Sequence, residues 1–184
     1  MQSRLMAVAL SAGILLLSSG AASAESLMEW AVTLTRTKGV QQVTNKKYLE
    51  ECGACHFAYQ PGLLPAKTWE KLLTDKALSE HFGDNAELDK DTLQIIHDYT
   101  IENAADTSFY KTARKISLAA QQGDLPLRIT ETRYIRRKHH ELKDEMVKGN
   151  KDVKSLSNCN ACHIQADKGV YDDSTVSIPN FPDF

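Results

Sequence analysis

The chain has 184 residues, 42% of them hydrophobic and 7% aromatic, with a formal net charge of −2. That length allows one or two small domains with a core of their own. The slight acidity excludes nucleic-acid binding driven by overall charge.

The first 24 residues read as an export signal. Arg4 is a positive n-region, Val8 to Leu17 an apolar run, and Ala22-Ser23-Ala24 a small-residue cleavage site. The apolar run is too short to span a membrane, so the expected product is exported, not membrane-spanning, and starts at Glu25. With Arg4 removed the net charge becomes −3. A mixed lead-in follows to Gln42, with a short helix through Trp30.

Thr44 to Cys55 reads as a helical run into Cys52-Gly53-Ala54-Cys55-His56. The spacing carries its own chemistry. Two thiols reach the two vinyl groups on one porphyrin edge, and the adjacent histidine turns onto the iron, which makes Cys-x-x-Cys-His the attachment signature of c-type haem. Pro61-Gly62 marks a turn, Leu63 and Leu64 are available to cover a haem face, and Pro65 suits a helix start. That helix carries Trp69, Leu72, Leu73 and Leu78 and ends near Phe82-Gly83. Asp91 or Thr92 is positioned to cap the next helix, through Leu93, Ile96, His97, Tyr99 and Ile101 to Ala105. A basic segment runs from Ser108 to Ala120 and a loop from Gln121 to Pro126. A longer helix is expected over Glu131 to Lys148, closed by Gly149-Asn150.

The second motif, Cys159-Asn160-Ala161-Cys162-His163, repeats the first with the same spacing, 107 positions later. The tail from Ser174 to Phe184, with Pro179 and Pro182, reads as irregular. The two motifs use all four cysteines. Disulfides, the usual state of an exported cysteine pair, leave both histidines unexplained. A four-thiolate zinc module is more compact in sequence, and a thioredoxin-like pair needs a βαβ setting that the pattern lacks. The sequence therefore predicts a mostly α-helical protein with two covalently bound haem c groups. One is expected in each half, residues 25–106 and 107–184.

His56 and His163 are the motif ligands. For the opposite positions the sequence offers His81, His97, His139, His140, Met28 and Met146. On a continuous helix Ile135, His139, Leu142 and Met146 share one face, so His139 points with the apolar residues and His140 about 100° away. His139 is the better candidate there and Met146 its rival. His81 and His97 are not separated by pattern, because Leu93, His97, Ile101 and Ala104 also share a face.

These strings carry a resemblance. Cys52 to Pro65, His81-Phe82-Gly83, Asn103-Ala104-Ala105, Pro126 to Thr132 with the downstream His139, and Asn158 to His163 resemble the bacterial dihaem cytochrome c family, over about residues 45–180. The resemblance implies two bis-histidine haems and electron transfer in the periplasm. It implies His81 opposite His56 and His139 opposite His163. It also implies redox protein partners, with a small oxygen-binding haem protein and a membrane-bound cytochrome b as candidates. One position departs: Arg133 stands where the family pattern has proline.

Enzymes such as a dihaem peroxidase or a reductase, and haem gas sensors, need an open iron position, whereas this chain has enough histidines to fill both. Charge is uneven. Asp75 to Asp106 holds nine Asp/Glu against two Lys, and Thr107 to Lys151 eleven Lys/Arg against five Asp/Glu. This is read first as solvated surface, and second as a field that orients docking partners.

Overall fold

A computed structural model of the protein describes residues 39–123 and 125–182. The expected export signal, the start at Glu25, Met28 and the lead-in through Trp30 lie outside the described residues. The fold is mostly helical. Among the described residues β-type pairing is confined to two isolated bridges, His81 with Asp84 and His163 with Val176.

Helix α1, Lys46–Cys52, is short, and both of its ends are satisfied. The Asn45 side chain accepts from the Tyr48 amide at 3.0 Å, and the Gly53 amide donates to Leu49 at 3.1 Å. Its inward residue, Tyr48, packs edge-on to Trp69 and against Tyr99. A 3₁₀ turn, Pro61–Leu63, leads into α2, Ala66–Leu72. Trp69 Nε1 on α2 donates back to the Pro61 carbonyl at 2.8 Å, so the tryptophan's polar edge is paired where it is buried.

The single helix expected after Pro65 is two. Thr74 takes extended backbone and caps a separate helix α3, Asp75–Ser79, through the Ala77 amide. Helix α4, Lys90–Glu102, is capped by Asp89, whose carboxylate accepts from the amides of Asp91 and Thr92; the expected caps are instead the first-turn donors. Thr92, Ile96 and Thr100 recur at i, i+4 and i+8 on its buried face, against α1 and α2. The basic segment after Ser108 contains α5, Lys111–Ala120, which buries Ala113, Ile116 and Ser117.

The expected helix over Glu131 to Lys148 is also broken. Helix α6 covers only Arg133–Lys138, and a separate 3₁₀ turn covers Asp144–Met146. Arg133 takes the first helical position, the place where proline is tolerated, and its guanidinium donates to Gln122 at 2.9 Å. The helix stops because its two ends answer to different packing demands. His139 leaves the helix towards His163, while Met146 turns into a C-terminal cluster with Val147, Val153 and Ile178. Helix α7 is the short Cys159–Cys162 turn of the second motif.

The main core crosses residues 106 and 107. Val40, Leu63 and Ala105 pack with Ala113, Ile116 and Tyr134 in one cluster. A backbone crossing ties Gly39 and Val40 to the C-terminal part of the chain. The Val40 amide donates to Gly169 at 2.9 Å, and Gly39 and Gly169 both have positive φ, +81° and +74°. A Cβ on Gly39 would lie 2.2 Å from the Gly169 carbonyl oxygen, and one on Gly169 2.2 Å from that of Val40.

Candidate haem sites

The four motif cysteines are free, with Cys55 exposed and the other three partly buried. Burial pushes the Cys52 thiol up to about 12 and the Cys159 thiol to about 11. A catalytic redox pair instead has a lowered thiol pKa.

The first site forms where α1 ends. Just beyond it, His56 Nδ1 lies 2.7 Å from the Phe57 carbonyl, which directs Nε2 outward. Opposite it stands His81, after α3. The rings are 6.4 Å apart and nearly parallel, at 17°. A turn aims His81: the Asp84 amide bonds its carbonyl at 3.1 Å, and both Phe82 (φ +55°) and Gly83 (φ +110°) are left-handed. A phenylalanine there is strained. The Arg128 guanidinium lies 4.1 Å above the Phe82 ring. Burial first, then His56 and Arg128, lower the His81 pKa, which favours the neutral form that a metal ligand requires.

The second site pairs His163, directly after α7, with His139, at the end of α6. Their rings are 6.0 Å apart at 74°. His139 Nδ1 lies 2.8 Å from the Ile135 carbonyl. Burial, then His139, lower the His163 pKa to about 4. Two imidazoles on opposite sides of one metal ion, each bonded at about 2 Å, have ring centres about 6.3 Å apart. Both observed spacings fit one iron between each pair. The Nδ1 atoms of His81 and His163 are buried without a partner.

The rival residues have other surroundings. His97 Nδ1 sits 3.3 Å from Asp98. His140 is exposed, with Nδ1 at 2.9 Å from the Arg137 carbonyl and Nε2 facing Glu141. Met146 is buried in the C-terminal cluster, where Ala161 and Cys162 pack against it.

The sequence reading missed the residues between the sites. Tyr59 stacks on His56 with ring centres 4.9 Å apart, and Tyr171 packs edge-on to His163 at 5.1 Å. Between them Gln60, 1% exposed, accepts from the Tyr171 hydroxyl at 2.6 Å and donates to the Ala166 carbonyl. Burial raises the Tyr171 pKa, so its hydroxyl remains a donor. A glutamine and a tyrosine carry no motif spacing; Gln60 lay only within the string that carried the resemblance.

The dihaem cytochrome c family model matches residues 48–171. A dihaem cytochrome c from Shewanella baltica OS155 is 38% identical, with a TM-score of 0.60 over 75% of this chain and 95% of that one. One from Rhodobacter sphaeroides is also 38% identical, with a TM-score of 0.61 over 72% of this chain and 100% of that one. Comparison with curated proteins gives no match. These likenesses define a small helical c-type cytochrome with two haems. The chain belongs to the dihaem cytochrome c family, whose members carry two covalently bound haem c groups and transfer electrons. No helix among the described residues is long and apolar enough to cross a membrane.

Proposed function

We propose that this protein is a periplasmic electron relay with two bis-histidine haems, one bound in each half, 25–106 and 107–184. Cys52 and Cys55 hold the first haem and Cys159 and Cys162 the second. His56 and His81 would hold the first iron, and His163 and His139 the second. Haem supplies reversible one-electron exchange at its iron. The protein supplies neutral imidazoles, burial and orientation. The observation that carries this reading is the two pairs of neighbouring histidine rings, 6.4 and 6.0 Å apart, one pair beside each motif.

Two histidines leave no open position at either iron, which favours a carrier over a peroxidase, a reductase or a gas sensor. The export signal, 1–24, supports the periplasm, the oxidising compartment where the mature chain would begin at Glu25. Redox protein partners follow from the role. The resemblance supports a small oxygen-binding haem protein and a membrane-bound cytochrome b among them.

Low-temperature magnetic spectroscopy of the oxidised protein tests the ligands. Two low-spin bis-histidine signals are expected, and no carbon monoxide adduct after reduction. His81→Met and His139→Met should each change one signal and raise that haem's potential, while His97→Ala and His140→Ala leave both spectra as they were. A high-spin haem in either alanine variant refutes the assignment at that site.

A further inference from the structure

The residues joining the two sites form a reciprocal arrangement. Tyr59 stacks on His56 at 4.9 Å, with 30° between the planes. Its hydroxyl does not stay with the first site. It donates 2.7 Å to the carbonyl of Ser157, two residues before Cys159. Tyr171 packs against His163 at 5.1 Å and 65°. Its hydroxyl in turn crosses to Gln60, the neighbour of Tyr59, at 2.6 Å. Gln60 then reaches back to the Ala166 carbonyl, and the Tyr48 hydroxyl holds the Tyr59 carbonyl. Each motif histidine is therefore flanked by a tyrosine whose hydroxyl is held by the opposite site.

We propose that Tyr59 and Tyr171 are positioning residues that set the planes of the His56 and His163 rings, and that their crossed hydrogen bonds brace the two haem sites against each other. An aromatic neighbour at about 5 Å restricts rotation of an imidazole about its bond to the chain. His163 depends on this most, since its Nδ1 is buried without a hydrogen-bond partner, whereas His56 Nδ1 faces the Phe57 carbonyl. Ring plane matters to an iron with two imidazoles. Nearly parallel rings, like His56 and His81 at 17°, give an ordinary rhombic low-spin signal. Nearly perpendicular rings, like His139 and His163 at 74°, give a highly anisotropic one. The two sites thus report their ring planes separately.

This inference rests on the ligand assignment above, and the wild-type spectrum tests that assignment first. Absence of two bis-histidine signals sinks the assignment. With both present, Tyr171→Phe, which removes one hydroxyl and keeps the ring, should move the anisotropic signal. Gln60→Met should move it in the same direction, and the double variant no further than Gln60→Met alone, because the Tyr171–Gln60 bond is already lost in both single variants. Tyr59→Phe should also move the anisotropic signal, although Tyr59 lies on the first site's histidine. Tyr99→Phe, on α4, should lower thermal stability and leave both signals in place. A purely structural role predicts that Tyr171→Phe, Gln60→Met and Tyr59→Phe behave like Tyr99→Phe. Unmoved signals in those three variants would overturn the brace.

Discussion

Gln60→Leu removes both hydrogen bonds of a side chain that is 1% exposed. The Tyr171 hydroxyl loses its acceptor, and the buried carbonyl of Ala166 loses one of two donors, keeping the Gly169 amide at 2.9 Å. A typical bond contributes about 1 kcal/mol net, but a buried partner left unpaired costs about 1–3 kcal/mol. One unpaired hydroxyl and one lost bond to a carbonyl that keeps a donor give about 2–4 kcal/mol. Leucine returns part of this, about 1 kcal/mol, by burying apolar surface instead of an amide. The expected loss is about 1–3 kcal/mol, a sizeable share of the roughly 5–15 kcal/mol that holds a domain folded. For a chain of this size it lowers Tm by roughly 2–12 °C. Guanidinium unfolding of the oxidised protein, followed by far-ultraviolet circular dichroism and by the haem Soret band, measures it. Both probes should shift together, because Gln60 joins the two sites. A loss under about 0.5 kcal/mol refutes the reasoning, and so does a shift in one probe only, since either means that the amide does not pair as described.

Gly169→Ala should destabilise the protein by more than about 1 kcal/mol, from the left-handed backbone at φ +74° and from the 2.2 Å approach to the Val40 carbonyl; an unchanged denaturation midpoint refutes the close crossing. Acid should act through His163. Its folded-state pKa is depressed to about 4 against about 6.5 in the unfolded chain, so its contribution to stability is full above about 6.5 and declines as pH falls to about 4. Coordination works in the same direction, because a ligating imidazole must be unprotonated. Conversion of the second haem from low to high spin is expected only at or below about pH 4, and a midpoint near 6.5 counts against burial of that histidine. Arg136 and Arg137 lie exposed on α6, beside the second site. Arg136→Glu with Arg137→Glu should slow electron exchange with an acidic partner about tenfold at low salt and little at high salt; a rate indifferent to both removes any steering role.

Much of this protein was legible in the sequence because its chemistry is local. Two thiols and a histidine within five residues meet the geometry of one porphyrin edge wherever the chain runs, so both attachment motifs could be read without a fold. Helical content was equally accessible, since the periods of Thr92, Ile96 and Thr100 and of Ala113, Ile116 and Ser117 are properties of single segments. Helix ends were less so. The face through Ile135, His139, Leu142 and Met146 looked continuous, yet only Ile135 and His139 keep the helical relation, through the bond from the His139 amide to the Ile135 carbonyl at 3.1 Å. Beyond it, packing of Met146 into the C-terminal cluster outweighs continuation of a short helix that gains little stability by itself. Pattern likewise left His81 and His97 equivalent. The left-handed turn at Phe82 and Gly83 turns His81 to face His56, and hydropathy contains no record of that turn. The brace was wholly a tertiary matter. Gln60 meets Ala166 and Tyr171 across 106 and 111 positions, and periodicity registers which residues are buried, not which distant group will satisfy a buried amide.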